Sequence, residues 1–151
     1  MLRKLVPVLV LFAITTSCSK DKFQTTPSIS IKEETSIVPV GGTLFVRMEY
    51  TDKEGDVSRG SLIYLPELLN TRRLAPNVPP YAPINLPVPD FPDNDKGEIE
   101  LNLDWVNIYK EIQARPGQDK NDTIRIKLVV MDRENNTSDT AVTGTIVLLG
   151  Q

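Results

Sequence analysis

From Thr43 onward, apolar and polar positions alternate along the chain. Leu44, Val46, Met48 and Tyr50 fall on one side, and Phe45, Arg47 and Glu49 on the other. A period of two held over this length predicts a strand with one buried face. The stretch "EIELNLDW" repeats the pattern with Ile99, Leu101 and Leu103. In "DTIRIKLVVMD", Ile124, Ile126, Leu128 and Val130 share a face, with Arg125 and Lys127 opposite. "SDTAVTGTIVLL" places Val142, Ile146 and Leu148 on one face, alongside Gly144. The shorter pieces "SISIKEE", "SIVPV" and "SLIYL" add a weak first strand, an edge piece and one further strand. The stronger strands are expected near 43–51, 58–65, 97–103, 123–131 and 139–149.

Other periods interrupt this pattern. "DWVNIYKEI" sets Trp105, Ile108, Tyr109 and Ile112 at helical spacing behind Asp104, which predicts a short helix with Asp104 as its N-cap. Eight of the twelve prolines lie between Pro66 and Pro92. Proline fixes φ and lacks a backbone donor, so no central strand or long helix fits there. "PELLNTRRL" has room for one or two helical turns. The rest reads as an extended surface excursion, held down by Leu74, Val78, Tyr81, Ile84, Leu86, Val88 and Phe91 across a sheet edge or face. "DNDKGE" and "DRENNTSD" are turns. Six or seven short β segments with one long connection predict an all-β fold, an immunoglobulin-like antiparallel β-sandwich over residues 28–151. A small open β barrel is the alternative.

Composition changes this picture at the N-terminus. "MLRK" followed by the apolar run "LVPVLVLFAITT" has the layout of a signal peptide, residues 1–17, and the run is too short to span a bilayer permanently. Residues 18–27, "CSKDKFQTTP", are polar and read as a tether. Cys18 is the single cysteine and so has no partner within the chain for a disulfide. The chain carries a formal charge of −3 and contains no histidine. Removal of Arg3 and Lys4 with the leader leaves the remainder more acidic, a poor match for nucleic acid. Without histidine, His-based triads and His metal ligands are excluded.

The placement of Cys18 after Ser17 and the apolar run resembles the lipobox of bacterial lipoproteins, with Thr15 standing where that family usually has leucine. The resemblance implies cleavage before Cys18, acylation of its sulfur and amine, and a membrane anchor through the acyl chains. The following "SKD" resembles the export signal of surface lipoproteins from Bacteroidetes-type bacteria, which implies the outer membrane, with either surface display or a periplasm-facing anchor. The strand ending in "YTDKEGD", the strand ending in "VVMDRENNTSD" and the closing strand resemble immunoglobulin-like or cadherin-like domains of such lipoproteins. Domains of this kind serve adhesion, sugar binding or spacing. "DTI" at Asp122–Ile124 and "DTA" at Asp139–Ala141 resemble the bacterial O-glycosylation acceptor.

Two sets of residues carry candidate chemistry. In a sandwich of this type the loop after the 43–51 strand and the last hairpin loop lie at one end. Asp52, Glu54 and Asp56 would then face Asp132, Glu134, Asn135, Asn136 and Asp139, an all-oxygen set suited to Ca²⁺. The same residues also make good turns without any metal, with Gly55 supplying a positive φ. Trp105 and Tyr109 could form a platform for sugar rings, or could pack the helix onto the sheet. Tyr81 and Phe91, on the preorganised proline-rich segment, are candidates for contact with a protein partner. The reading is therefore a non-enzymatic, lipid-anchored envelope protein. It would bind or assemble with an envelope protein, or alternatively with a glycan. No catalytic residue is expected.

Overall fold

Each period-two stretch forms a strand whose apolar side faces the core. The computed structural model describes residues 25–71, 73–110 and 120–150. The strands are β1 (Ser28–Glu34), β2 (Ile37–Val38), β3 (Thr43–Thr51), β4 (Ser61–Leu68), β5 (Ile84–Pro87), β6 (Lys96–Asp104), β7 (Asp122–Met131), β8 (Ala141–Val142) and β9 (Ile146–Leu148). A single helical turn, α1 (Trp105–Ile108), follows β6. The leader 1–17, Cys18, most of the 18–27 tether and the predicted helix end at Ile112 lie outside the described residues.

The strands form an immunoglobulin-like β-sandwich. One sheet has the order β1-β3-β6, all antiparallel. The other runs β2-β9-β7-β4-β5, with β8 beside β7. Among the described residues, only β2, the continuation of the first strand in the opposite sheet, pairs in parallel, with β9. The two inner faces meet in one core. Leu44, Val46, Met48, Tyr50, Leu101 and Leu103 come from the first sheet, and Leu62, Tyr64, Ile124, Ile126, Leu128 and Val130 from the second. Full burial of such side chains stabilises by about 1.5–3 kcal/mol each. Tyr50 lies across from Gly97, where any Cβ would stand 2.7 Å from the tyrosine ring. The glycine makes room for the ring.

The structure corrects several expectations. The 58–65 strand starts at Ser61 because Val57–Gly60 turns, with Gly60 N–H donating to Val57 O (3.0 Å) and Arg59 at φ 62°. "PELLNTRRL" makes no helical turn within 66–68, because β4 continues through Pro66 to Leu68. Pro66 faces Ile126 of β7, while β5 pairs only with Ser61–Tyr64, so the proline sits where that edge is open. The remainder of the excursion returns as β5 and covers the β4 edge. The helix is one turn long, since Tyr109 already has extended backbone (φ −70°, ψ 131°). Asp104 makes no side-chain cap bond; it accepts instead from the Thr43 hydroxyl (3.4 Å). Val142 points outward, and Thr143 takes the inward place between β8 and β9. The Thr143 hydroxyl accepts from Ile126 N–H (2.8 Å) while Thr143 N–H donates to Ile126 O (3.0 Å), so a side chain replaces a strand carbonyl at the break. Among the described residues, no helix is long and apolar enough to cross a membrane.

Candidate functional site

Three loops meet at one end of the sandwich: residues 52–60 after β3, 88–95 before β6, and 132–140 after β7. The chain enters the first at Asp52, whose N–H donates to Asp95 O (2.8 Å). The Asp52 carboxylate then folds the loop back on itself, accepting from Asp56 N–H (3.0 Å) and from Glu54 N–H (3.4 Å). Gly55 supplies the turn at φ 71°, with the Asn94 backbone 3.1 Å from where a Cβ would be. Asp132 organises its own loop in the same way. Its two oxygens accept from Asn136 N–H (2.8 Å) and from the Asn136 side-chain amide (2.9 Å). Short aspartates at loop starts favour such side-chain-to-backbone bonds.

These two loops bring Asp52, Asp56 and Asp132 together. One carboxylate oxygen of each lies within 4.8 Å of the others, and all three residues are buried. Asp56 differs from its neighbours. One of its oxygens has no hydrogen-bond partner, and the other stands 4.0 Å from the Arg133 guanidinium, which is held mainly by Asp93 (2.9 Å). Burial, the hydrogen bond to Asp52 and the charges of Asp132 and Asp52 push the Asp56 carboxyl up to about 6, against the pull of Arg133. Glu54 is exposed and also raised, by desolvation first and then by Glu134, Asp52 and Asp132.

Not every residue of the expected oxygen set joins this cluster. Glu54 and Asp139 are exposed and stand outside it, and Asn135 is exposed. Asn135 serves as the turn residue at φ 69°, with its N–H on Asp132 O (3.3 Å). Asp139 takes part through its carbonyl, which accepts from the Ser138 hydroxyl (2.9 Å). Sequence reasoning missed Arg133 and the Asp93–Asp95 turn as neighbours. Arg133 follows Asp132 directly, and that adjacency was the available signal.

The aromatic candidates lie elsewhere. Trp105 is buried at the opposite end, its indole N–H donating to Leu149 O (2.9 Å), and it stacks on Tyr109 with centroids 4.4 Å apart. The buried indole fits the alternative in which Trp105 packs the helix onto the sheet. Tyr109 is partly buried and its hydroxyl donates to Lys120 O (3.0 Å). Phe91 is partly buried against Tyr50 (6.0 Å), because Phe91 N–H is held by the Ser58 hydroxyl (2.9 Å). Tyr81 is half-buried; its hydroxyl donates to Ile108 O (2.6 Å) and Lys110 Nζ lies 5.2 Å from its ring centroid. Burial holds the Tyr81 phenol well above its ordinary value, with smaller contributions from Asp122 and Tyr109. Two adjoining grooves, of about 200 and 380 Å³, share Pro66, Pro80 and Tyr81. Of the two glycosylation-like motifs, Asp122–Ile124 lies within β7, whereas Thr140 is exposed.

No protein-family model and no curated protein matches the chain. Among solved structures, a β-glucosidase from Listeria innocua in complex with gluconolactone is similar at 10% identity and a TM-score of 0.45, over 82% of this chain and 16% of that one. The chain thus spans about a sixth of that enzyme's length. A cohesin module from a Clostridium perfringens family 33 glycoside hydrolase is similar at 12% identity and a TM-score of 0.41, over 84% of this chain and 99% of the module. The CARDB domain of a Pyrococcus furiosus protein, in complex with di-metal ions, is similar at 10% identity and a TM-score of 0.31, over 82% and 87%. At these scores the likenesses say nothing of what this chain binds.

Proposed function

We propose that the chain is a lipid-anchored cell-envelope protein whose immunoglobulin-like domain binds or assembles with a protein partner. The observation that carries this reading is the paired groove around Tyr81. Its proline-rich wall is held in one conformation by the Tyr81 hydroxyl on Ile108 O (2.6 Å) and by β5 on β4. A surface already ordered loses little conformational entropy on binding. Prolines, Leu65 and Leu68 supply apolar area, and Lys110, Glu67 and Lys127 supply a charged margin. That mixture of apolar area and charged margin suits a protein or peptide. The buried carboxylates of Asp52 and Asp132 accept from N–H groups of their own loops, an arrangement that supports a binding or structural role over proton transfer to a substrate. The anchor rests on Cys18 and the apolar run before it.

A photo-crosslinking residue in place of Ala82, which lines the groove, tests the partner in intact cells. The expected result is one dominant envelope-protein adduct that is lost when Tyr81→Ala is added. Absence of an adduct, together with glycan-array binding that depends on Tyr81, would replace this reading with glycan recognition. Labelled palmitate should enter the wild-type chain and not Cys18→Ala; equal labelling of both would remove the anchor.

A further inference from the structure

We propose that Asp52, Asp56 and Asp132 form a binding site for a hard divalent cation, Ca²⁺, which ties the loop after β3 to the loop after β7. The three carboxylates present oxygens within 4.8 Å of one another in a buried position. Among the described residues, the guanidinium paired with them is that of Arg133, 4.0 Å from one Asp56 oxygen, and it is bonded to Asp93. Like charges this close in a desolvated site repel strongly unless a cation or a proton intervenes.

Asp56 points to which atom is waiting for a ligand. Asp52 and Asp132 have N–H donors, so their loops are shaped before any ion arrives. Asp56 is 7% exposed, its carboxylate joins the cluster, and its Oδ1 is buried with no hydrogen-bond partner. A buried acceptor left without a donor is destabilising, and native structures rarely keep one without an ion, a water or a function. The donor set selects the ion. It is all carboxylate oxygen, without nitrogen or sulfur, which disfavours zinc and copper. Carboxylates that ligate through one or both oxygens, completed by water, match the flexible six-to-eight-oxygen shell of Ca²⁺. Glu54, exposed on the same loop, stands outside the cluster. Because β3 and β7 belong to different sheets, an ion here would clamp the sandwich at its loop end.

Thermal unfolding of the full chain near neutral pH, in chelator and in about 1 mM Ca²⁺, tests this alongside titration calorimetry. A site with a Kd of about 10 μM should raise the melting temperature by about 5 °C or more. Asp56→Asn should melt above the wild type in chelator, because one like charge is gone, and should not respond to Ca²⁺. Asp132→Asn should also fold and fail to respond. A wild-type chain that shows neither a shift nor a binding heat at millimolar Ca²⁺ would overturn the proposal. So would an Asp56→Asn variant that responds as the wild type does. A melting temperature that moves with pH but not with Ca²⁺ would assign the cluster to a shared proton instead.

Discussion

The two ends of the sandwich both bury polar side chains, but in opposite ways. At the α1 end the polar atoms meet complementary ones. Asn70 accepts from Thr123 N–H (2.7 Å) and donates to Asn121 O (3.1 Å), Asp122 accepts from Lys110 N–H, and the Trp105 indole donates to Leu149 O. At the loop end three carboxylates meet one another, and Asp56 Oδ1 meets no donor. At the first end each of these hydrogen bonds joins a donor to an acceptor. The second is held in place by its loops against its own repulsion. A group kept in an unfavourable setting by surrounding structure is more informative about function than a satisfied one.

The largest test of this contrast is Trp105→Ala. It removes a buried indole, its stack on Tyr109 and its bond to Leu149, and should destabilise by about 3–5 kcal/mol in chemical unfolding. A small loss would mean that the α1 end is not a stability centre. At the loop end stability should depend on pH. The folded Asp56 carboxyl lies near 6, above its ordinary 3.8, so folding takes up a proton in the intervening range. In chelator, this group's contribution should be most favourable below about pH 4 and lost as pH rises through about 6, a difference of about 2–3 kcal/mol. Denaturant melts across that range should show the trend in the wild type and not in Asp56→Asn. Asn70→Ala strands donors and acceptors of the α1 end and should cost about 1–2 kcal/mol at any pH in that range. The smallest effect belongs to Glu67→Gln on the outer face of β4. Arg125 (2.7 Å) and Lys127 (3.2 Å) hold the Glu67 carboxyl below its ordinary value, so its contribution is present at neutral pH and fades as pH falls. Both partners are substantially exposed, so the coupling read in a double-mutant cycle should be the weakest of the four effects.

What could be read beforehand follows from how local each property is. The buried faces of β3, β6 and β7 are legible because alternation is a property of a single strand: Val46, Leu101 and Ile126 could only point inward together with their period-two neighbours. The β8–β9 segment resisted the same reading. Val142 is apolar yet exposed, because the Thr143 hydroxyl supplies a bond to Ile126 that a regular strand would have made with its backbone. Helical spacing offered packing as one reading of Trp105, but its hydrogen-bond partner, Leu149 O, lies 44 residues away.

At the loop end, the acidic residues themselves and the glycine that turns between them were determined by sequence, since Asp, Asn and Gly at strand ends favour tight turns whatever the fold. Which of them would meet was decided only by tertiary structure. Asp56 and Asp132 come together because β4 and β7 are neighbours and because Gly60, whose Cβ would fall 2.1 Å from Met131 O, lets the first loop lie directly against the end of β7. The same loop paths turn Glu54, Asn135 and Asp139 to solvent. Sequence sets the chemical character of each loop, but the distance between carboxylates on different loops is set by sheet pairing and close backbone approach, which no local pattern encodes.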